Sequence, residues 1–360
     1  MFRNFLKLRP KKFLGIDIGT SFIRVVELKR KGNNPYLENY GDLGISSASK
    51  EKDFRVFDGE NLLLSEKDIA QTLQSIFLEA GIETREANFS IPDFCTFFTN
   101  FELPVMAKEE VEQAVKYEVR PYVPLPLSEI TLDWIITAGE TSKTPLKILA
   151  VAIPNDVISQ YQEIANLSGA RLKFLEPEAF ALARILQKNI NGEKETKVIS
   201  LIDIGARSTT CSIIDNGTLR RSYSFNLAGN ELTEVLARSL NLEYNKAEEL
   251  KIKYGLLNPN NNQNTRNILL PLINSILEEI KKVFREFYQE EGKETEKVVL
   301  AGGLALLPGL KEYFSAELKK EVVAVDPFAN FSYPPVLEQV LKTRGPSYAV
   351  AVGAALKGFE

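Results

Sequence analysis

The chain has 360 residues, enough for two domains or one large two-lobed one, and its 44% hydrophobic content can fill substantial cores. A net charge of −4 argues against general nucleic-acid binding, and the absence of histidine excludes His-based triads, imidazole bases and His-ligated zinc. Cys95 and Cys211 are too few and too far apart for a disulfide framework or a CxxC metal site; as buried thiols in apolar, strand-like stretches they suit a reducing compartment.

The first twelve residues carry five basic groups and no acid. They lack the apolar core and small-residue cleavage site of a signal peptide, and no later run approaches the roughly 18 apolar residues of a membrane span. With Phe2, Phe5, Leu6 and Leu8, this tail reads equally as a short amphipathic turn on an anionic membrane or as a solvated extension. The protein reads as cytoplasmic. Residues 13–28 give an apolar strand ending in Asp17-Ile18-Gly19, a polar turn through Thr20 and Ser21, and a second strand. A third strand is predicted near 36–43, and 46–60 is polar and irregular. A helix follows from Ser65, where Ser65 and Asp68 resemble a capping box; Ile69, Leu73, Ile76 and Phe77 form its buried stripe and Gly81 stops it. Strands at about 87–91 and 95–103 complete the first part of the first lobe, 1–103.

Residues 104–168 read as a small α+β insert: a charged helix over 108–119 halted at Pro121, strands at 130–138 and 146–153, and a helix from Asn155 to Gly169. The proline-punctuated segment 120–134 carries Tyr122, Val123, Leu125, Leu127 and Trp134. It either caps the insert's own core or lines a groove for an extended peptide. Residues 169–196 supply a connecting strand, a helix beginning at Glu176 with small residues from Ala179 to Ala183, and a polar tract. The second lobe, 197–344, opens with strands at 198–204, 208–215 and 218–226. The first of these ends in Asp203-Ile204-Gly205, followed by Ala206, Ser208 and Thr209. Helices at 229–241 and 245–254, an asparagine-rich loop at 258–264, a long helix at 266–291 and a strand at 298–301 lead to Gly302-Gly303. A closing helix of small residues lies within 345–360 and suits close packing against 179–183.

The two Asp-Ile-Gly hairpins carry the chemistry. Glycine lets a backbone turn approach an anion, successive amides converge on phosphate oxygens, and hydroxyls add donors. An aspartate at each strand end would repel a bare phosphate, so the pattern calls for Mg²⁺ between carboxylate and phosphates. A single Asp-x-Gly is ordinary hairpin chemistry. Two copies on matching strands, each opening a half of the chain, point to a clamp on a nucleoside triphosphate. The glycine pair at 302–303, after a strand and before a helix, lets backbone lie flat against a ligand.

Hairpin, small-residue helix, second hairpin, Gly-Gly loop and closing small-residue helix follow the motif order of the actin-like ATPase superfamily. The chain is thereby identified as an α/β, two-lobed, ribonuclease H-like fold with an α+β insert in the first lobe. Asp203-Ile204-Gly205-Ala206 with Ser208-Thr209, the stretch from Tyr117-Glu118 to Leu132-Asp133, Glu176-Pro177-Glu178-Ala179, and Gly302-Gly303 through Leu310 are similar to the PilM family of type IV pilus assembly. That resemblance implies ATP and Mg²⁺ as ligands, with Asp17 and Asp203 holding the metal through water. Gly19, Thr20 and Ser21 would face the phosphates from one side, and Gly205, Ala206, Ser208 and Thr209 from the other. Arg24 stands where relatives place a phosphate-binding lysine. Glu176 matches the glutamate that positions the attacking water, Gly302 and Gly303 flank the adenosine, and Glu248 and Lys251 reach ribose and base unless they form a solvated helix face. Thr210 departs from the Asp or Asn common in the family and leaves hydrolysis open.

The implied role is a scaffold on the inner membrane's cytoplasmic face, held mainly indirectly by the N-terminal tail of PilN and meeting other pilus assembly proteins, with homo-oligomerisation open. An FtsA-like division filament protein and a metabolic kinase on the same fold are the alternatives. FtsA shares the insert but carries a C-terminal linker and membrane helix, whereas this chain stops at the closing helix. No convincing aspartate base for a kinase stands out.

Overall fold

The computed structural model describes residues 11–31, 34–44, 57–58, 61–62, 64–189, 197–257 and 263–360. The N-terminal tail through residue 10, the polar tract 190–196 and most of the asparagine-rich loop lie outside the described residues.

The first lobe opens with β1 (Lys12–Ile18), β2 (Phe22–Lys31) and β3 (Asn34–Gly44). Two short paired strands, β4 (Phe57–Asp58) and β5 (Asn61–Leu62), fall in and beside the stretch expected to be irregular. Helix α1 (Glu66–Glu79) begins as predicted, with the Ser65 side chain accepting the Asp68 N–H at 3.2 Å. Then come β6 (Glu86–Ile91), β7 (Phe97–Leu103), α2 (Lys108–Glu118), β8 (Ile130–Ala138), β9 (Leu146–Pro154), α3 (Asn155–Ser168), β10 (Arg171–Pro177) and α4 (Glu178–Asn189). The second lobe contains β11 (Val198–Ile204), β12 (Thr209–Asp215), β13 (Thr218–Phe225), α5 (Gly229–Leu240), α6 (Tyr244–Tyr254) and α7 (Gln263–Glu291). It continues with β14 (Lys297–Ala301), α8 (Leu310–Leu318), β15 (Glu321–Ala324) and α9 (Glu338–Arg344), and α10 (Ala349–Lys357) closes the chain.

Both lobes are built on one sheet plan. The strand orders β3-β2-β1-β6-β10 and β13-β12-β11-β14-β15 each run three sequential antiparallel strands into two parallel ones. Strand β11 shows why its apolar run is so dense. Side chains alternate between faces, and both faces are covered. Ile199 and Leu201 face the helices between the lobes, while Val198, Ile202 and Ile204 face the second lobe's outer core. Strand β2 divides likewise, with Val26 and Leu28 on one face and Ile23 and Val25 on the other.

Between the sheets lie α4 and α10, the two small-residue helices. A Cβ at Gly353 would collide with the Ala181 carbonyl, so α10 can approach α4 this closely only without a side chain there. The Asn88 side chain on β6 donates to the Ala354 carbonyl at 2.9 Å and ties α10 to the first sheet.

The insert is displaced from its predicted bounds. Its sheet, in the order β7-β9-β8, begins with β7, so the unit runs over 97–154 and not 104–168. Val111, Val115, Leu146, Ile148 and Ala150 form its separate core. Helix α3, expected inside the insert, packs on α1 and sends Tyr161, Ile164 and Ala165 into the first lobe's core. An apolar stripe marks a buried helix face but not which sheet buries it. Cys95, expected in a strand, sits in a buried single turn over Asp93–Cys95.

Candidate functional site

The two hairpins face each other across a cavity of about 950 Å³ between the lobes. Their registers match: Asp17 pairs with Arg24 and Asp203 with Thr210. The turns close identically, Gly19 N–H donating to the Phe22 carbonyl and Gly205 N–H to the Ser208 carbonyl, both at 3.0 Å. Those two amides are therefore committed to the turns. The loop backbone beyond them and the side chains of Thr20, Ser21 and Ser208 line the cavity. Thr209, predicted to face phosphate, is corrected: its buried hydroxyl donates to the Leu227 carbonyl at 2.6 Å and holds β12 to the chain entering α5. The second loop is braced from behind, because Gly229 and Asn230 at the start of α5 donate to the Gly205 and Ala206 carbonyls at 3.1 and 2.7 Å.

Three carboxyl groups line the cavity floor, Asp17, Asp203 and Glu178 at the first position of α4, and a fourth, Asp93 from the turn after β6, lies buried behind them. Burial pushes Asp203 up to about 7, reinforced by the nearby Asp17 charge and opposed by Arg24. Asp93 is pushed up to about 7, chiefly by burial. Glu178 is raised well above the carboxylate range by burial and by the charges of Asp17, Asp93 and Asp203. Asp17 is raised as well, by burial, although Arg24 lies 3.7 Å away and pulls it down. Among the described residues no three acids, cysteines or histidines converge closely enough to hold a metal alone. A cation here would complete its shell with water and ligand oxygens, and these oxygen donors suit Mg²⁺ in that mode. It would also relieve a cluster that cannot otherwise stay fully ionised beside phosphates.

Gly302 supports the same fit. Its φ is +84°, and a Cβ there would run into Asp203 Oδ1 and the Ile204 carbonyl. The equivalent position on Gly303 opens into free space beside the cavity. Glu248 and Lys251 also line the cavity, so the solvated-face alternative fails for Lys251, which is buried. Its ammonium donates to the Gly229 carbonyl at 2.9 Å and Thr233 Oγ1 at 2.7 Å, and lies 2.6 Å from Glu248. Burial lowers its pKa, opposed by Glu248. Lys251 thus holds Glu248 in place and has no donor left for a base.

Glu176 is not at the cavity. It stands one residue before the end of β10, opposite Ser90, and both its oxygens are bound by the buried Arg184, at 2.5 and 2.8 Å. Arg184 also reaches the Gly353 carbonyl at 2.9 Å, so this pair fastens α4 to α10. Proline favours the first helical position, which places a predicted helix start at Glu176; here Pro177 remains in the strand and Glu178 is the first helical residue. Glu178 and Asp93 are the site residues that sequence reasoning missed. Glu178 had a signal, an acid two residues along the same segment; Asp93, alone in an apolar turn, had none.

On the insert, Val123 is buried in the core, and Leu125, Leu127 and Trp134 pack partly against it. Tyr122 is exposed with its ring stacked on Phe101 at 6.3 Å, beside a second cavity of about 340 Å³ lined by Arg120, Leu125, Pro126 and Leu127. Among the described residues no helix is long and apolar enough to cross a membrane.

The sequence profile described as type IV pilus assembly protein PilM matches residues 15–359. A chain of the PilM–PilN type IV pilus biogenesis complex superposes with a TM-score of 0.85 at 24% identity, covering 98% of this chain and 100% of that one. MreB5 of Spiroplasma citri bound to AMPPNP superposes at 0.56 and 15% identity, covering 98% and 96%. In sequence, the cell division protein FtsA of Enterococcus faecalis is 24% identical over 357 residues, spanning 85% of this chain and 78% of FtsA. The superpositions show the actin-like ATPase fold that the motif order implied.

Proposed function

Since the chain belongs to the family of the type IV pilus assembly protein PilM, we propose that it is an ATP–Mg²⁺-binding scaffold of the pilus assembly platform, stationed on the cytoplasmic face of the inner membrane by the N-terminal tail of a PilN partner. One observation carries the nucleotide half: two hairpins of matching register face each other across a cavity whose floor is acidic and whose loops suit phosphate. The triphosphate lies between Thr20–Ser21 and Ala206–Ser208, with the ribose toward Glu248 and the base along Gly302–Gly303. Asp17 and Asp203 would hold Mg²⁺, which would supply charge neutralisation between carboxylates and phosphates. Parent protein should melt at a higher temperature with ATP–Mg²⁺ than without, and no shift at saturating nucleotide sinks the reading.

Hydrolysis, where it occurs, runs through Glu178 and not Glu176. Glu178→Gln should halt phosphate release while the fold persists. Glu176→Gln weakens the buried Arg184 pair and should lower the melting temperature with release intact.

The solved relative superposed at 0.85 is a complex with PilN. Carried to this chain, an extended tail would dock beside Tyr122, whose exposed, stacked ring makes an anchor. Tyr122→Ala should weaken capture of a PilN tail peptide by about 1–2 kcal/mol in calorimetry and leave ATP binding unchanged. Equal tail affinity in the folded variant would move the groove to another face of the insert.

A further inference from the structure

The turn over Asp93–Cys95 touches three parts of the molecule, and Asp93 is its buried centre, 2% exposed. Asp93 Oδ1 accepts the Ala179 N–H at 3.2 Å, in the first turn of α4. Helix starts leave such amides without intrahelical partners, and Pro177, preceding α4, has no side-chain acceptor to offer. A residue 86 positions earlier therefore caps the helix that carries Glu178. The Asp93 N–H in turn points at Glu178 Oε2 at 3.4 Å. On its other side the carboxyl group faces Thr210 on β12, the strand of the second phosphate hairpin. Asp93 Oδ2 makes no hydrogen bond. Above it, the Arg207 guanidinium from the second loop lies 4.6 Å over the Phe94 ring.

We propose that Asp93 is a positioning residue for hydrolysis: it fixes the start of α4, and with it Glu178, against the second phosphate hairpin. The proposal rests on the reading of the cavity as an ATP site. In that reaction the oxygen of a water forms a bond to the γ-phosphorus as the bond to the β,γ-bridging oxygen breaks. ADP leaves with the bridging oxygen, and the water's proton passes to Glu178, whose carboxyl group can be ionised to accept it only once a cation beside Asp17 and Asp203 offsets their charges. The water must lie within hydrogen-bond reach of Glu178 and in line with the breaking bond, so a shift of the α4 start by a fraction of an ångström slows the step without touching the groups that bind phosphate. Asp93 itself does not line the cavity; its neighbours Pro92 and Phe94 do.

The test compares Asp93→Ala and Asp93→Asn in the full chain with three readouts. Amide hydrogen exchange at Ala179 without nucleotide reports the cap directly. Losing the acceptor should speed it about fivefold in Asp93→Ala, and asparagine, which keeps an oxygen there, should hold it near the parent. Single-turnover phosphate release should fall at least about tenfold in Asp93→Ala and return to within about threefold of the parent in Asp93→Asn. The affinity for AMPPNP–Mg²⁺ should stay within about threefold in both variants. Release that is unchanged in Asp93→Ala overturns the proposal. So does a folded Asp93→Asn that is slow while its Ala179 exchange is normal, since the need would then be for charge and not for position. If the parent binds AMPPNP–Mg²⁺ yet releases no phosphate, positioning for hydrolysis is overturned and the nucleotide reading stands. If the parent binds neither nucleotide, both fall.

Discussion

The two Asp-Ile-Gly hairpins share strand order, turn closure and register, yet they differ in what stands opposite the aspartate. In the first, Asp17 faces Arg24, whose guanidinium lies 3.7 Å from the carboxylate and 5.1 Å over the Phe22 ring. In the second, Asp203 faces Thr210, which brings no charge, and the nearest help is the same Arg24 across the cleft. The loops differ in the opposite sense. The second is braced by two amides of α5, and among the described residues no backbone bond of that kind braces the first. One hairpin thus carries its own counter-charge on an unbraced turn, whereas the other has a rigid turn and an uncompensated acid. A cation between them would be shared unequally, with Asp203 gaining more from it.

The largest effect tests what the hairpins have in common. Asp17→Ala and Asp203→Ala should each abolish the stabilisation by ATP–Mg²⁺, which for the parent at one hundred times Kd is about 2.7 kcal/mol. Thermal melts with and without nucleotide decide it, and a parent-like shift in both variants would place the nucleotide elsewhere. Without ligand the two sites should part company. Asp203→Asn relieves a buried acid with no cation beside it and should stabilise the protein, whereas Asp17→Asn discards the Arg24 pair and should not.

The second prediction uses pH. Asp203 is raised from 3.8 to about 7 in the folded state. Between those values the folded chain holds a proton that the unfolded chain has lost, so stability must fall as pH rises across that window and level off above about 7. Ligand-free protein should be less stable at pH 8 than at pH 5, and Asp203→Asn should remove roughly 2–3 kcal/mol of that fall. Denaturant melts at the two pH values suffice. An Asn variant with the parent's full pH dependence would assign the fall to Asp93 and Glu178 instead.

Much of this arrangement was legible in the sequence because it is local. An apolar strand, Asp-Ile-Gly and a returning strand specify a hairpin wherever they occur, and the antiparallel register then fixes which residue faces each aspartate. Gly302, the α1 cap and the small-residue helices were legible for the same reason. What escaped was set by contacts distant in sequence. Asp93 acquires its meaning from Ala179 and Thr210. Lys251 looks like one more charge on an exposed helix until α5 covers it. Thr209 looks like a phosphate ligand until the Leu227 carbonyl takes its hydroxyl. The exchange of Glu176 for Glu178 was a two-residue error in a strand end, enough to turn a structural ion pair into a candidate catalytic group.

The smallest predicted effect is the most discriminating, because it turns the first hairpin into an electrostatic copy of the second. Arg24→Thr puts a hydroxyl opposite Asp17, as Thr210 stands opposite Asp203. Loss of a partner from a tight buried pair is costly, but at 3.7 Å this one is loose, and Asp17 can respond by taking up a proton. The ligand-free cost should therefore be about 1 kcal/mol at pH 6 and larger at pH 8, where protonation no longer offsets it. Asp17→Asn, not stabilising in the parent, should become stabilising in the Arg24→Thr background, as Asp203→Asn already is in the parent. The coupling between Arg24 and Asp17 is then the interaction energy of that double-mutant cycle. If Asp17→Asn has the same effect in both backgrounds, Arg24 does not hold Asp17, and the difference between the hairpins lies in the α5 brace alone.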